Sequence, residues 1–197
     1  VHPLFATRGP PGTHDTAIGI ATLDAVKAGR SVMLPRFDKR ADEPLSSRDW
    51  PLLEGPCDLL LFEGWCVGAK PVPHDLLAQP VNDLERDDDA DGIWRDHWNT
   101  HLADETADLF ARIDRLTYLR PPSFEIVHKW RCEQEHGYQA QDGAQRAAAA
   151  MTDEQVARFI AHYERLTRWI MEEMLGRADV TIQLDEARSP ISVSVRA

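Results

Sequence analysis

The chain has 197 residues, of which 43% are hydrophobic and 8% aromatic, and its 22 basic and 33 acidic side chains give a net charge of -11. A chain of this length and apolar content can bury one substantial core, so we predict a single domain over residues 1–197. The acidic excess excludes nucleic acid as a general partner. No stretch approaches the roughly 20 apolar residues that a membrane-spanning helix needs, so no membrane partner is predicted.

The three cysteines, Cys57, Cys66 and Cys132, are widely spaced and contain no C-x-x-C pair. Their odd number and spacing favour neither a disulfide framework nor a cysteine zinc site. Free thiols are typical of a reducing compartment, and we expect a cytoplasmic location. Oligomeric state has no signature in the sequence.

The first third of the chain alternates helix and strand signals. After the turn-rich "RGPPGTHD", the spacing predicts a helix over 16–28, capped by Asp15 and ended at Gly29. "SVMLP" is predicted to be a short strand, and residues 38–56 are predicted to be a polar loop. "CDLLLF", residues 57–62, has no polar alternation, which predicts a parallel strand covered on both faces.

The rest of the chain continues the same alternation. Helices are predicted over 94–111, 123–139 and 153–175, the last on apolar residues at intervals of three and four. "RLTYL" and "ADVTIQL" are predicted strands, and "ISVSVRA" is a candidate edge strand. This order of elements predicts an α/β fold.

Glu63 directly follows the apolar run 59–62, at the predicted carboxyl end of a strand. In parallel sheets such ends meet at the crevice that binds ligands. A carboxylate there could hold a metal-bound water or orient a substrate hydroxyl, and Gly64 would let the backbone approach a ligand. The alternative is an ordinary exposed glutamate.

Two turn-rich segments carry clustered polar side chains that could bind an anion through a guanidinium fork and an ammonium group. The alternative for both is a solvated turn with ordinary surface charge. The residues concerned are Arg8, His14 and Asp15 in "RGPPGTHD", and Arg36, Asp38 and Lys39 in "LPRFDK".

Two patterns suggest a metal, and each lacks a necessary part. "DDDADG", residues 87–92, matches the first half of a calcium-binding loop, but the twelfth position holds Trp98 where the motif needs glutamate. His97 and His101 are four residues apart without the glutamate of H-E-x-x-H. We expect a solvated loop and surface histidines, and a metal-dependent hydrolase at these residues is the last of three functional hypotheses.

Several segments, taken in order, resemble the D-glycerate 3-kinase family of P-loop kinases and, more widely, the uridine kinase and phosphoribulokinase group. They are "RGPPGTHD", "LPRFDK", "FEGWCVGAKP", "PVNDLE", "KWRCEQE", "MTDEQVARFIAHYERLTR" and "ADVTIQL", and they span about residues 2–185. The resemblance implies a three-layer α/β fold of P-loop-kinase type, a parallel sheet flanked by helices, with its first strand or strands missing.

The resemblance also implies transfer of a phosphoryl group from ATP, with Mg²⁺, to a small hydroxy acid, with D-glycerate as acceptor and 3-phosphoglycerate as product. Glu63 would lie beside the phosphates and the metal, and Arg131, on a lid helix, would neutralise charge on the transferred group. The acceptor pocket and the adenine surroundings would be formed by Arg8, His14, Asp15, Arg36, Asp38, Lys39, Gly64 and Trp65, and by Asp185 and Arg188, respectively.

The sequence departs from the family at its start. No G-x-x-x-x-G-K-[ST] segment is present, since lysine occurs only at positions 27, 39, 70 and 129 and none has the required glycine spacing. The acidic turn expected to supply the base is missing as well. We therefore expect an N-terminally incomplete domain with feeble or no catalysis, and a non-catalytic module that binds a small acid or a protein is the second hypothesis.

Overall fold

The structure of the protein is a computed structural model that describes residues 2–38, 41, 43–141 and 151–196. Lys39 and the alanine run 147–150 lie outside the described residues. The described α-helices are α1 (Thr16–Lys27), α2 (His74–Leu77), α3 (Asp83–Asp88), α4 (Ile93–Ala103), α5 (Glu105–Phe110), α6 (Phe124–Gln141), α7 (Asp153–Ala161) and α8 (Glu164–Glu173).

The described strands form a mixed set of small sheets in an α/β arrangement. Two antiparallel pairs, β1 with β4 and β2 with β3, lie in the first third of the chain, and β5, β6 and β7 form a three-stranded sheet in that order. In this sheet β5 and β6 are parallel, and β7 is an antiparallel edge. The strands are β1 (Val32–Met33), β2 (Phe37–Asp38), β3 (Glu43–Pro44), β4 (Leu52–Leu53), β5 (Thr117–Arg120), β6 (Val180–Leu184) and β7 (Pro190–Val195).

Local sequence signals account for several of these elements. Asp15 caps α1 by accepting a hydrogen bond from the Ile18 amide at 2.9 Å, and the helix ends before Gly29, whose φ is +66°. The predictions of α1, α6, β1 and the three strands β5, β6 and β7 are confirmed. The predicted loop 38–56 is wrong in part, because it contains β3, β4 and one half of the β2–β3 hairpin.

Two predicted long helices are each broken in the structure. The 94–111 helix is interrupted at Asp104, whose φ and ψ are -102° and -100°. The 153–175 helix is interrupted at His162 and Tyr163, whose amides bond to carbonyls three residues back, at Phe159 and Ile160. The apolar spacing continues across both breaks, and periodicity alone therefore does not reveal them.

The prediction of a buried parallel strand over 57–62 is wrong. The structure assigns no strand there, and Leu59 and Leu61 are 74% and 82% exposed. A strand of this kind needs ladder partners and a layer on each face. Among the described residues no strand is paired with this segment, since β1 and β4 pair with each other and β5 pairs with β6.

The main core joins α4, α8 and the three-stranded sheet. Trp94, Trp98 and Leu102 point inward from α4, and they are at most 2% exposed. They belong to the same apolar cluster as Leu166 of α8 and Tyr118 of β5. No helix among the described residues is long and apolar enough to cross a membrane.

Two buried arginines hold the chain around α2 against this core. Arg165 of α8 pairs with Glu85 of α3 at 2.5 Å, and its guanidinium also donates to the carbonyls of Leu76 and Gln79. Both side chains of the pair are less than 10% exposed. The Glu85 carboxylate neutralises the buried charge of Arg165, and the two carbonyls accept hydrogen bonds from its other N–H groups. The arginine can therefore be buried in the core.

Asp89, in the "DDDADG" segment that resembles a calcium-binding loop, forms the second buried pair, with Arg95. Its carboxylate accepts hydrogen bonds from the amides of Trp94 and Arg95 and lies 3.0 Å from the Arg95 guanidinium. Gly92, with φ +73°, reverses the chain just before α4. Asp89 therefore starts a helix and neutralises a buried arginine, and the prediction of a fully solvated loop is wrong for this residue.

Candidate functional site

Tyr163, at the break between α7 and α8, joins three segments that are distant in sequence. Its hydroxyl donates a hydrogen bond to the Arg8 carbonyl at 2.8 Å. Its ring meets the Trp65 ring edge-to-face, with centroids 4.7 Å apart. The Trp65 indole N–H in turn donates to Thr167 Oγ1 at 2.8 Å. The N-terminal loop and the turn after Glu63 are thereby fixed on α8.

The "LPRFDK" segment meets the N-terminal loop at the same place. The Arg8 guanidinium lies over the Phe37 ring, 3.8 Å from its centroid. Arg36 and Asp38 flank Phe37 in sequence, and Arg36 is exposed. Arg8 thus contacts both Tyr163, against which Trp65 packs, and Phe37 of the 36–38 segment.

Arg131 approaches the same aromatic group from α6. Its guanidinium lies 5.3 Å from the centroid of the Phe159 ring, which packs 4.9 Å from the Tyr163 ring. Glu135, one turn further along α6, pairs with it at 2.5 Å. Arg131 Nε is buried and has no hydrogen-bond partner among the described residues. That unused donor could bind an anion.

The positive charges of Arg8 and Arg131 both affect the pKa of the Tyr163 hydroxyl. Burial raises the pKa of its hydroxyl to about 12, although the positive charges of Arg131 and Arg8 oppose the rise. The hydroxyl is therefore a permanent donor at physiological pH, and both cations act on it. Desolvation and the Arg8 charge also lower the pKa of His14, which favours the neutral imidazole.

The sharp bend after Glu63 is a turn over residues 65–68. The Val67 amide bonds to the Gly64 carbonyl at 3.4 Å, and a Cβ on Gly64 would lie 2.9 Å from Val67 Cγ2. A side chain at position 64 would therefore crowd the turn. Glu63 is exposed, and it precedes Trp65 by two residues.

A cavity of about 580 Å³ lies beside α6 and the β6–β7 turn. Arg131, Arg188 and Trp130 line it, and the Arg188 guanidinium lies 5.2 Å from the Trp130 ring centroid. Arg188 is held at 2.8 Å by Glu133. Arg131, expected at the transferred phosphoryl group, and Arg188, expected near the adenine, thus line the same cavity.

Two predicted site residues instead have structural partners. Asp15 caps α1, as described above. Asp185 accepts hydrogen bonds from the amides of Ala187 and Ser189, each at 2.8 Å, and so shapes the β6–β7 turn. In both residues these bonds use Oδ1 of the carboxylate.

The histidines singled out as metal candidates have other neighbours. The rings of His97 and His101 are 4.7 Å apart, and His101 Nδ1 lies 3.7 Å from Glu105. Over the described part of the chain, no three His, Cys, Asp or Glu side chains are grouped so that they could hold a metal ion.

Sequence reasoning misses the aromatic and hydroxyl side chains at the centre of the site. Helical spacing marks Phe159 and Tyr163 only as members of an apolar stripe, and it does not single out Thr167 or Phe37. The available signal is a tyrosine within a stripe that otherwise consists of aliphatic and phenyl side chains, because a buried hydroxyl requires a partner.

Comparison with known proteins finds several related kinases, although no family model matches the chain. The chain is 29% identical to a chloroplastic D-glycerate 3-kinase of Arabidopsis thaliana, over 95% of this chain and 41% of that protein. A solved D-glycerate 3-kinase from Cryptococcus neoformans superimposes with a TM-score of 0.75 at 25% identity, over 99% of this chain and 71% of that one. The chain resembles the D-glycerate 3-kinase family of kinases. It is also 28% identical to the uncharacterized kinase mug58 of Schizosaccharomyces pombe, over 96% of this chain and 70% of that one.

This chain is shorter than the relatives that it matches. The chain spans less than half of the plant protein and about 70% of the two fungal ones. The match runs over nearly all of this chain, so Tyr163 and the residues that contact it, Arg8, Trp65 and Phe159, lie inside the shared region. The family resemblance inferred from sequence motifs is confirmed.

Proposed function

We propose that this chain forms the acceptor-binding and lid part of an ATP-dependent kinase. The enzyme would transfer the γ-phosphoryl group of ATP to a hydroxyl of a small hydroxy acid, D-glycerate, to give 3-phosphoglycerate. The observation that carries the proposal is that Arg8 and Arg131 lie on either side of the packed rings of Tyr163 and Phe159, with Trp65 against the Tyr163 ring. Relatives named D-glycerate 3-kinase support this choice of acceptor.

In this proposal the acceptor carboxylate binds on the Arg8 side of Tyr163. Arg8 is fixed there by the hydrogen bond from Tyr163 to its carbonyl and by stacking on Phe37. Arg36 and His14 would add a cation and a neutral donor, while Gly64 and Trp65 would line the floor. Lys39, outside the described residues, and Asp38 remain candidates on their position in sequence.

Arg131 would meet the transferred phosphoryl group. Its buried Nε has an unused proton, and Glu135 holds the rest of its guanidinium in place. A fixed cation stabilises the charge that develops on such a group more than a mobile one would, because it requires no reorganisation. Arg188 and Trp130, on the adjoining cavity, offer a cation and an aromatic face to the adenine of ATP.

The described carboxylates do not by themselves fit a magnesium ion. Glu63 is the proposed ligand, but it is exposed, and the described residues contain no grouped set of oxygen donors around it. We therefore derive no step through Mg²⁺ from this chain. The three-layer sheet with further strands, and a cytoplasmic location, are likewise proposals, the latter supported by free cysteines.

An ADP-release assay coupled to NADH oxidation tests the function. D-glycerate, L-glycerate, uridine and ribulose 5-phosphate are offered to this chain and to the longest polypeptide translated from the same coding sequence. We expect turnover of D-glycerate by the longer form and little by the 197-residue chain. D-glycerate binding without ADP release in both forms would instead indicate a non-catalytic acid-binding module.

Replacing Arg8 tests the acceptor pocket separately. Arg8→Gln should raise KM for D-glycerate much more than KM for ATP, because it removes the cation on the acceptor side only. Arg48→Gln, at an exposed position in the Ser47–Asp49 turn, serves as the control and should change neither. An equal effect of Arg8→Gln on both substrates would remove Arg8 from the acceptor pocket.

A further inference from the structure

A cavity of about 420 Å³ lies at the amino ends of the parallel strands β5 and β6. Leu116 and Asp179, each just before one of these strands, line it together with the turn 68–71, and we call it the Lys70 cavity. The cavity lined by Arg131 and Arg188 lies beside α6 and the β6–β7 turn, which follow the carboxyl ends of the same strands. Over the described part of the chain the two cavities share no lining residue, so the Lys70 cavity is a separate place on the molecule.

Most of the wall of the Lys70 cavity is apolar. Its apolar side chains come from α4, from α5, from the segment between α5 and β5, and from the turn 68–71. They are Pro71, Leu102, Ala107, Phe110, Ile113 and Leu116. The volume lies in the range of about 300–1,000 Å³ that small-molecule sites usually have. An apolar group that enters such a cavity is removed from water, and the cavity therefore suits the apolar body of a small molecule.

Two hydrogen bonds hold the turn 68–71 in place. The Arg177 guanidinium donates to the Gly68 carbonyl at 2.7 Å, and the Trp169 indole N–H donates to the Lys70 carbonyl at 3.0 Å. Because these bonds fix the backbone of the turn, the cavity keeps its shape without a ligand. A ligand that binds there has little ordering of the chain to compensate.

Two of the three charged side chains that line the cavity have partners of opposite charge. Arg177 Nε donates to the Glu173 carboxylate at 3.0 Å. The Asp179 carboxylate accepts a hydrogen bond from the Leu116 amide at 2.8 Å and lies 3.3 Å from the Arg115 guanidinium. These contacts compensate both charges within the protein.

Lys70 is the third charged side chain, and it differs from the other two lysines that the structure describes. Lys27 pairs with Asp114 and Lys129 pairs with Glu186, whereas Lys70 is exposed and has no ion-pair partner among the described residues. Its ammonium group can therefore accept an anion at the mouth of an apolar cavity. A carboxylate would form a charge-assisted hydrogen bond with it.

We propose that the Lys70 cavity binds a small amphipathic carboxylate. The aliphatic or aromatic body of the ligand occupies the cavity, and its carboxylate meets the Lys70 ammonium group. D-glycerate has no apolar body and is not expected to bind there. The proposal does not rest on the kinase reaction, and either can fail without the other.

NMR titration of the ¹⁵N-labelled 197-residue chain with 4-phenylbutyrate tests the proposal. We expect saturable shifts of the amides of residues 68–70 and 107–116, and no displacement of the probe by D-glycerate. 4-Phenyl-1-butanol, which has the same body without the charge, should bind about fivefold more weakly. Equal binding of the acid and the alcohol, shifts confined to other segments such as the exposed run 59–62, or no saturable shift would overturn the proposal.

Three variants test the two parts of the site separately. Lys70→Gln should weaken 4-phenylbutyrate binding about fivefold and leave binding of the alcohol unchanged. Lys129→Gln removes the same charge on α6 and should alter neither. Ala107→Leu places a larger side chain in the cavity and should abolish binding of both probes. An equal loss of affinity in Lys70→Gln and Lys129→Gln, or undiminished binding in Ala107→Leu, would contradict this site.

Discussion

At the scale of single residues, Tyr163 determines how the candidate site is assembled. Its ring contacts Trp65, and its hydroxyl donates to the Arg8 carbonyl. The hydroxyl stays protonated because burial raises its pKa to about 12. One phenol group therefore positions two segments that the sequence separates by more than 50 residues.

Tyr163→Phe tests this role directly. The variant keeps the ring contacts and loses one hydrogen bond, so we expect a loss of about 1 kcal/mol in the free energy of unfolding. If the longer form is active, KM for the acceptor should rise because the Arg8 loop is no longer held. Urea unfolding and steady-state kinetics measure the two effects.

Tyr118→Phe is the matched control. The Tyr118 hydroxyl is buried and has no hydrogen-bond partner among the described residues, so its removal should leave stability unchanged or raise it. Equal losses in the two variants would mean that the bond from Tyr163 to Arg8 contributes nothing specific.

At the scale of elements, the helix breaks and the N-terminal loop depend on each other. The break at His162 and Tyr163 turns Tyr163 toward the loop, and Gly9 in that loop has φ +127°. A Cβ at Gly9 would lie 2.8 Å from the Tyr163 hydroxyl. The loop can pack there because this position has no side chain and can adopt a positive φ.

Gly9→Ala should consequently destabilise the protein by about 1 kcal/mol or more, from backbone strain and from the clash with Tyr163. Gly137→Ala is the control, because Gly137 lies inside α6 and a Cβ added there would meet no atom within 4 Å, and it should stabilise by about 0.5–1 kcal/mol. Thermal unfolding of both variants is the measurement. A neutral Gly9→Ala would show that the loop moves away from Tyr163 at little cost.

At the scale of the whole molecule, buried histidine sets a pH dependence. Burial lowers the pKa of His162, whose Nδ1 lies 3.0 Å from the Arg158 carbonyl in the core near Trp94. The unfolded chain therefore takes up this proton at a higher pH than the folded one. Stability should fall as pH drops below about 6.5, and this contribution should level off below the lowered pKa.

Unfolding titrations at intervals between about pH 5 and pH 7.5 measure this slope in a range where most carboxylates remain ionised. His14, whose pKa is also lowered, acts in the same direction. The slope should become smaller in His162→Gln, since glutamine takes up no proton. An unchanged slope in that variant would assign the pH dependence to other groups.

The sequence by itself determined the α/β class, α1 to within one residue, the three strands of the main sheet and the resemblance to the D-glycerate 3-kinase family. These depend on signals that are local or ordered along the chain: an aspartate cap, a glycine stop, apolar periodicity and motif order. It also indicated Arg8, Trp65 and Arg131 as site residues. The tertiary structure connects those three through the packed rings of Tyr163 and Phe159.

Only the tertiary structure decided the rest. The exposure of Leu59 and Leu61, the breaks at Asp104 and Tyr163, and the pairing of Asp89 with Arg95 all depend on which neighbours are in contact. An apolar run is buried only if other elements cover it, and an acidic run binds a metal only if its carboxylates are free. Whether a run is buried, and whether its carboxylates are free, depends on contacts with residues distant in sequence. Local sequence patterns contain no information about those contacts.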